Sequence, residues 1–231
     1  MERLNVIITT YDSGDGARYN KLVRTVGALR SNLTCGDIHY IITDDSTPEV
    51  YEYAYNDFGS GWDNTTFINT NRKGVGFAKN NALRIAFETS DQVLLTEDDW
   101  LLKEPLDIGK HMEVLADNEN VGMIRFGFLG GKMGATYTDY GFPKTYWTLH
   151  SGSGHYVYSG QVSLRHKRWY DSMGFHDENC QAGEEEDAYC HRFNKFENPP
   201  DILWPAEYGS TLNAGAFLNI GMDHSTNAVQ V

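Results

Sequence analysis

Val93-Leu94-Leu95-Thr96-Glu97-Asp98-Asp99-Trp100 is the stretch on which the reading of this chain turns. Its first half is a short apolar run, the mark of a buried strand. Its second half sets three carboxylates side by side at the strand end. Adjacent like charges repel, so leaving them there makes sense chiefly where a cation sits. Oxygen-only ligands suit a hard divalent ion, Mg²⁺ or Mn²⁺, which in turn takes phosphate oxygens. The alternative is an acidic surface turn after a buried strand. The flanking sequence decides between the two.

Residues 4–10 form a β-branched run that ends in the turn cluster Tyr11-Asp12-Ser13-Gly14-Asp15-Gly16. Residues 19–31 carry Leu22, Val23, Val26 and Leu29 at helical spacing. Residues 38–43 make a second strand, closed by Asp44-Asp45-Ser46-Thr47-Pro48, and residues 67–69 a short third one. Residues 74–88 place Val75, Ala78, Ala82, Ile85 and Ala86 on one helical face before the strand at 93–96. Such alternation predicts an α/β fold with a largely parallel sheet between helices. Ligands of these sheets sit beyond the carboxyl ends of the strands. The polar clusters after strands one, two and four should therefore converge.

The second half reads differently. A helix is expected around 112–115, strands over 122–129 and 162–164, and a helix over 184–193 whose acids crowd its first turn. Residues 130–160 are rich in Gly, Tyr and Trp and suggest hairpins with a mobile loop. Without repeats or linkers, one domain over 1–231 is expected. A net charge of −13 gives a surface whose field disfavours nucleic acid. Cys35, Cys180 and Cys190 form no CxxC pair and read as reduced thiols. No signal peptide is visible before the first strand, and no apolar run approaches the ~20 residues that span a bilayer. The expected location is cytoplasmic.

The order of the motifs resembles a known family. Val-Ile-Ile-Thr-Thr-Tyr-Asp (6–12), Ile-Ile-Thr-Asp-Asp-Ser-Thr (41–47) and Asn-Arg-Lys-Gly-Val-Gly-Phe-Ala-Lys-Asn-Asn-Ala-Leu (71–83) come first. Leu-Leu-Thr-Glu-Asp-Asp-Trp (94–100), Met-Gly-Phe-His-Asp-Glu (173–178) and Gly-Glu-Glu-Glu-Asp-Ala-Tyr-Cys-His-Arg (183–192) follow. Together they resemble the GT-A glycosyltransferases of the large family 2 type. The resemblance implies a Rossmann-like mixed, mostly parallel sheet flanked by helices, with 1–100 binding a nucleotide sugar and 101–231 an acceptor. It also implies a nucleoside-diphosphate-sugar donor, Mn²⁺ or Mg²⁺, and transfer with inversion to a hydroxyl acceptor. Uridine diphosphate as the nucleotide is a habit of the family.

The resemblance assigns roles residue by residue. Thr10 and Tyr11 would lie beside the base. Asp44 would accept from the base N–H or pair with the ribose, with Asp45 able to replace it; a turn carboxylate is the alternative. Arg72, Lys73 and Gly76 at a helix start would hold the diphosphate, where a solvated basic turn is the alternative. Asn80 or Asn81 would serve packing and capping. Glu97-Asp98-Asp99 stands where the family has Asp-x-Asp. Asp99 would bind the metal, with Glu97 or Asp98 on the ribose or a metal-bound water.

The general base would be one carboxylate of the run at 184–187. Counting back from Arg192 points to Glu185 and Glu186, while residue identity points to Glu186 and Asp187. Asp187 is the first choice and Glu186 the second. Acids that merely favour a helix N-terminus account for one or two of the four. His224 would be a late metal ligand, a part Asp223 could also take. Tyr137, Tyr140, Phe142, Tyr146, Trp147 and Tyr156 fit either a core or a sugar-stacking surface. Arg165-His166-Lys167-Arg168 reads as a solvated basic patch, or one for an anionic acceptor or the diphosphate.

Two other functions compete. A nucleotidyltransferase would want a Gly-rich basic loop after the first strand, and residues 11–16 are acidic instead. An inactive nucleotide-sugar-binding scaffold would have no need of the acids at 97–99 and 184–187. Nothing in 130–160 chooses among glycan, lipid, protein or modified nucleobase as acceptor.

Overall fold

Strict alternation along three strands builds two cores, one on each face of a central sheet. In β1 (Arg3–Thr10), Leu4, Val6 and Ile8 point to one face and Ile7 to the other. The computed structural model describes residues 3–56, 61–127, 137–139, 146–149, 158, 160–180, 184–208 and 215–221. In chain order, β1 is followed by α1 (Ala17–Asn32), β2 (Leu33–Thr34), β3 (Asp37–Asp44), α2 (Pro48–Ala54), β4 (Thr65–Asn69) and α3 (Val75–Ala86). Next come β5 (Gln92–Glu97), β6 (Trp100–Leu102), β7 (Leu106–Asp107), α4 (Gly109–Asp117) and β8 (Val121–Arg125). The described elements close with β9 (Tyr137–Asp139), β10 (Tyr146–Leu149), β11 (Ser163–His166), α5 (Lys167–Met173), α6 (Glu184–Lys195), β12 (Asp201–Pro205) and β13 (Phe217–Asn219).

Tyr40 and Ile42 of β3 and Leu94 of β5 join the first core, under Tyr19, Leu22, Val26 and Leu29 of α1. Ile41, Val93 and Leu95 join the second, under α3, α5 and α6. Helices thus cover both faces, as the alternation of strands and helices predicts. The main sheet has nine strands in the order β4-β3-β1-β5-β11-β8-β12-β10-β9. The first four pair in parallel, while β11 and β10 run against their neighbours, so the sheet is mixed but mostly one-directional. The register sets Thr10 opposite Asp44, Asp44 opposite Asn69, and Thr9 opposite Glu97. The carboxyl ends of four strands therefore meet at one rim.

Several elements were not expected from the sequence. Helix α2 buries only Ala54 and so carries no apolar stripe; Pro48 at its start is the visible signal. Helix α5 follows directly on β11, with His166 Nδ1 accepting from the Arg168 N–H as its cap. The basic run at 165–168 is not a solvated patch. Arg165 is fully buried and donates to Ser163 Oγ and the hydroxyls of Tyr158 and Tyr170. Arg168 donates to the carbonyls of Leu115, Asn118 and Val121 around the end of α4. Only Lys167 is an exposed cation, paired with Asp171 at 2.7 Å. Among the described residues no helix is long and apolar enough to cross a membrane.

One close approach couples α3 to the second half. A Cβ on Gly76 would lie 2.1 Å from the Asp177 carbonyl oxygen, and Asn80 clasps His176 through its carbonyl (2.9 Å) and its N–H (3.0 Å). Asn80 is thus the packing residue that the motif implied. Gly76→Ala must push two backbones apart, and a loss of about 1–3 kcal/mol in urea unfolding is expected. A variant as stable as the parent would show that the contact yields.

Candidate functional site

The site begins with a cap. Asp12 accepts the N–H groups of Gly14 (2.6 Å), Gly16 (3.1 Å) and Arg18 (2.9 Å), fixing the start of α1. Burial would raise its carboxyl, but the backbone donors outweigh burial and hold it below the usual range. The cap aims Arg18 at the acidic turn. Its Nε donates to Asp98 Oδ2 at 2.9 Å, its Nη2 lies 2.5 Å from Asp98 Oδ1, and its Nη1 lies 3.4 Å from Asp99 Oδ2. Thr10 adds its hydroxyl to Asp98 at 2.6 Å. Asp98 is fully buried, and burial pushes its pKa up to about 7 against the pull of Arg18 and Thr10. Burial, then the charge of Glu97, raises Asp99 as well.

Asp45 shapes the adjacent loop. It accepts from Thr70 Oγ1 (2.7 Å) and the Gly74 N–H (2.9 Å), while its carbonyl accepts from the Arg72 N–H (3.1 Å). Asn71 and Arg72 take left-handed φ of 52° and 57°, a conformation unfavourable to a side chain and held here by those bonds. Arg72 lies 5.7 Å over the Tyr11 ring, and Tyr11 is 42% exposed at the rim.

Beneath the cleft floor lies a buried charge cluster. Lys79 Nζ sits 3.2 Å from both Glu97 Oε1 and Glu185 Oε2, and its side chain is only 2% exposed. Glu185 also accepts the His176 Nδ1–H. Burial alone would favour neutral forms. The carboxylates outweigh it and raise Lys79, and the Lys79 charge with the His176 hydrogen bond lowers Glu185. For His176 burial wins: Glu185 pulls it up by less than burial pushes it down, and it stays at about 4. One turn-step away, Glu186 Oε1 accepts the Gly160 N–H at 2.6 Å.

Thr10, Tyr11, Asp45, Glu97, Glu185 and Glu186 line one cleft of about 580 Å³. Arg18, Lys79, Trp100, Gly160, Gln161 and Asn219 complete its wall.

No family model and no curated protein matches this sequence. The solved structures do match in shape. GalNAc-T7, solved with UDP, GalNAc and Mn²⁺, superposes with a TM-score of 0.62 at 10% identity, over 89% of this chain and 42% of that one. Staphylococcus aureus TarS 1-349, solved with UDP, gives 0.59 at 15% identity, over 90% and 58%. The mannosyltransferase PcManGT from Pyrobaculum calidifontis, solved with GDP-Man and Mn²⁺, gives 0.53 at 17%, over 90% and 58%. This chain thus spans about half the length of these neighbours. A mixed, mostly parallel central sheet flanked by helices superposes on these neighbours over about nine-tenths of this chain. The fold is GT-A.

Within the GT-A frame, the expected residues fall into groups. Thr10, Tyr11, Asp45, Glu97, Glu185 and Glu186 meet in the cleft. Asp44 stands behind it, 3% exposed, with the Tyr19 hydroxyl (2.7 Å) and the Ser46 N–H (2.8 Å) on its oxygens. Its neighbour Asp45 is the carboxylate that lines the cleft. Arg72 and Lys73 are exposed beside the rim, and Gly76 serves the packing already described. Asp187 is half exposed on the outer face of α6, its Oδ2 3.5 Å from His191 Nε2. Tyr146 is core, its hydroxyl 2.8 Å from His111 Nδ1. His224, Asp223, Tyr140, Phe142, Tyr156 and the Tyr137 side chain lie outside the described residues.

Sequence reasoning missed Arg18 and Lys79. Arg18 gave no signal, being one polar residue after a turn. Lys79 did: it falls four residues after Val75 and three before Ala82, inside the apolar stripe of α3. A lysine on a buried face needs buried carboxylates.

The cluster also makes stability depend on pH. The unfolded His176 protonates near 6.5, whereas the folded one stays neutral down to about 4. Between those values the unfolded state binds the extra proton, so stability falls as pH falls. One proton over this window amounts to about 3 kcal/mol. Asp98, raised to about 7, works in the opposite sense over the same window, so the His176 share is read by difference. In urea titrations at pH 7 and 4.5 the parent should lose more stability, or gain less, than His176→Asn; an equal change in both would remove His176 as a source.

Proposed function

We propose that this protein is a metal-dependent, inverting glycosyltransferase that moves a sugar from a nucleoside-diphosphate sugar, with uridine as the nucleoside, to a hydroxyl acceptor. One observation carries the reading: Glu186 of α6 and Glu97, the first acid of the run that ends β5, line a single GT-A cleft. Tyr11 and Asp45 would take the base and ribose at the rim. Arg72 and Lys73, next to the free N–H groups at the start of α3, would approach the diphosphate.

The donor set fits a divalent ion. Asp99 Oδ1 is buried without a hydrogen-bond partner among the described residues, so one carboxylate oxygen is available. Among these residues no three acidic, His or Cys side chains close on one point. That suits an ion held by one or two carboxylates plus substrate phosphates and water. Asp99 would hold it with Glu97 nearby. His224, outside the described residues, is a further ligand in this reading on the family resemblance alone. A bound ion would offset the charge growing on the departing diphosphate.

The chain's own base is Glu186. The acceptor oxygen attacks the anomeric carbon, the carbon–oxygen bond to the diphosphate breaks with its electron pair, and the hydroxyl proton passes to Glu186. Glu185 is unsuited, since Lys79 and His176 occupy both its oxygens and lower its basicity. Asp187 lies on the outer face of the helix.

Calorimetry with UDP, GDP, dTDP and CMP, with and without Mn²⁺, tests the site. Tight binding of one diphosphate only with metal is expected. Asp99→Ala should weaken that binding at least roughly tenfold, as loss of a metal ligand does. No nucleotide binding under any condition would favour a scaffold.

A further inference from the structure

Arg18 and Lys79 are the two cations that line the cleft among the described residues. Lys79 is committed to two carboxylates below the floor, whereas the Arg18 side chain is 35% exposed and faces the opening. Arg18 grips its two acids unequally. The fork on Asp98 is bidentate, at 2.9 and 2.5 Å, around a carboxylate with no exposure. The contact with Asp99 is a single one at 3.4 Å, and it leaves Asp99 Oδ1 unpartnered. A divalent ion on Asp99 and a guanidinium on the same carboxylate would set like charges in contact.

We propose that Arg18 is the internal counter-ion of the acidic turn: it neutralises Asp98 permanently, yields Asp99 to a divalent cation, and then turns its released Nη1 to the donor's diphosphate. The inference rests on the metal-dependent donor site proposed above. Its physical basis is the difference between a forked, desolvated pair and an exposed end-on one. The backbone of Arg18 is pinned by Asp12, so the guanidinium moves about a fixed root. A planar fork can keep one edge on Asp98 while its other nitrogen reaches a phosphate oxygen.

The role predicts two shifts of opposite sign. With Arg18→Ala, Mn²⁺ alone should bind about five- to tenfold more tightly, because its competitor for Asp99 is gone. UDP titrated at saturating Mn²⁺ should bind about tenfold more weakly, one charge-assisted contact being lost. Arg18→Gln, which keeps a hydrogen-bond donor for Asp98, guards against misfolding and should shift the same way. Lys21→Ala removes another charge that reaches Asp99, without a contact, and should change Mn²⁺ affinity less than the Arg18 variants. Weaker binding of both ligands, or unchanged Mn²⁺ affinity, overturns the proposal, since a purely structural role lowers both. An equal gain in Lys21→Ala overturns it too, by reducing the effect to bulk charge. If the parent protein shows no Mn²⁺-dependent UDP binding, the donor-site reading itself fails.

Discussion

Glu186→Gln is expected to stop sugar transfer and leave donor affinity as it was. The substitution keeps size and an acceptor oxygen for the Gly160 N–H, at 2.6 Å in the parent, so the cleft wall should hold. What it removes is the carboxylate that takes the acceptor proton as the new bond forms. Loss of a positioned base costs on the order of 10²–10⁴ in rate. The measurement is nucleotide release from a UDP-sugar, with water and a glycan panel as acceptors, beside calorimetric UDP affinity. Asp187→Asn is the contrast and should transfer at nearly the parent rate, because its carboxylate points outward. The reverse pattern, activity kept in Glu186→Gln and lost in Asp187→Asn, would return the base to Asp187.

Lys79→Met should be the most destabilising single change at the site. Methionine fills the volume, so the effect isolates the charge. Removal of the ammonium leaves Glu185 buried with only the His176 N–H, and breaking a buried pair in this way costs about 3–5 kcal/mol. Urea unfolding at pH 7 measures it. Adding Glu185→Gln to Lys79→Met should recover part of the loss, since the stranded charge then disappears. Transfer should fall as well, because Glu185 and Glu186 are neighbours on one helix. A Lys79→Met protein of parental stability would show that the ion cluster does not hold α6 in place.

The first hundred residues were the legible half. Apolar alternation in β1, β3 and β5 gave the strands, and the turn residues after them gave the convergent rim. The stripe on α3 gave its helix and, read strictly, the anomaly of Lys79. Beyond residue 100 the signals thin out. There α5 begins directly where a strand ends and offers no full period, as does the short α2 of the first half with its one buried residue. Arg165 could not be placed, because its partners Ser163, Tyr170 and Tyr158, though near in sequence, meet it only where β11 turns into α5, and no period shows that turn. Side-chain orientation shows the limit most clearly: residue type pointed to Asp187 and spacing to Arg192 pointed to Glu185 and Glu186. Only the packed helix shows that the latter pair lines the cleft while Asp187 is half exposed. Which way a helix faces is settled by what packs against it, here Tyr158 and Trp169 against Tyr189 and Phe193 of α6.

The division of β1 between two cores has a consequence for descent. Membership of a layer depends on whether a position is odd or even along the strand, not on which apolar residue fills it. Substitution among Ile, Leu and Val is therefore cheap, while inserting or deleting one residue would exchange the two faces. Lineages can drift through sequence almost without limit and still be held to strand parity. Shape then outlasts recognisable descent, which is how a chain that matches no family model and no curated protein superposes on structures only 10–17% identical.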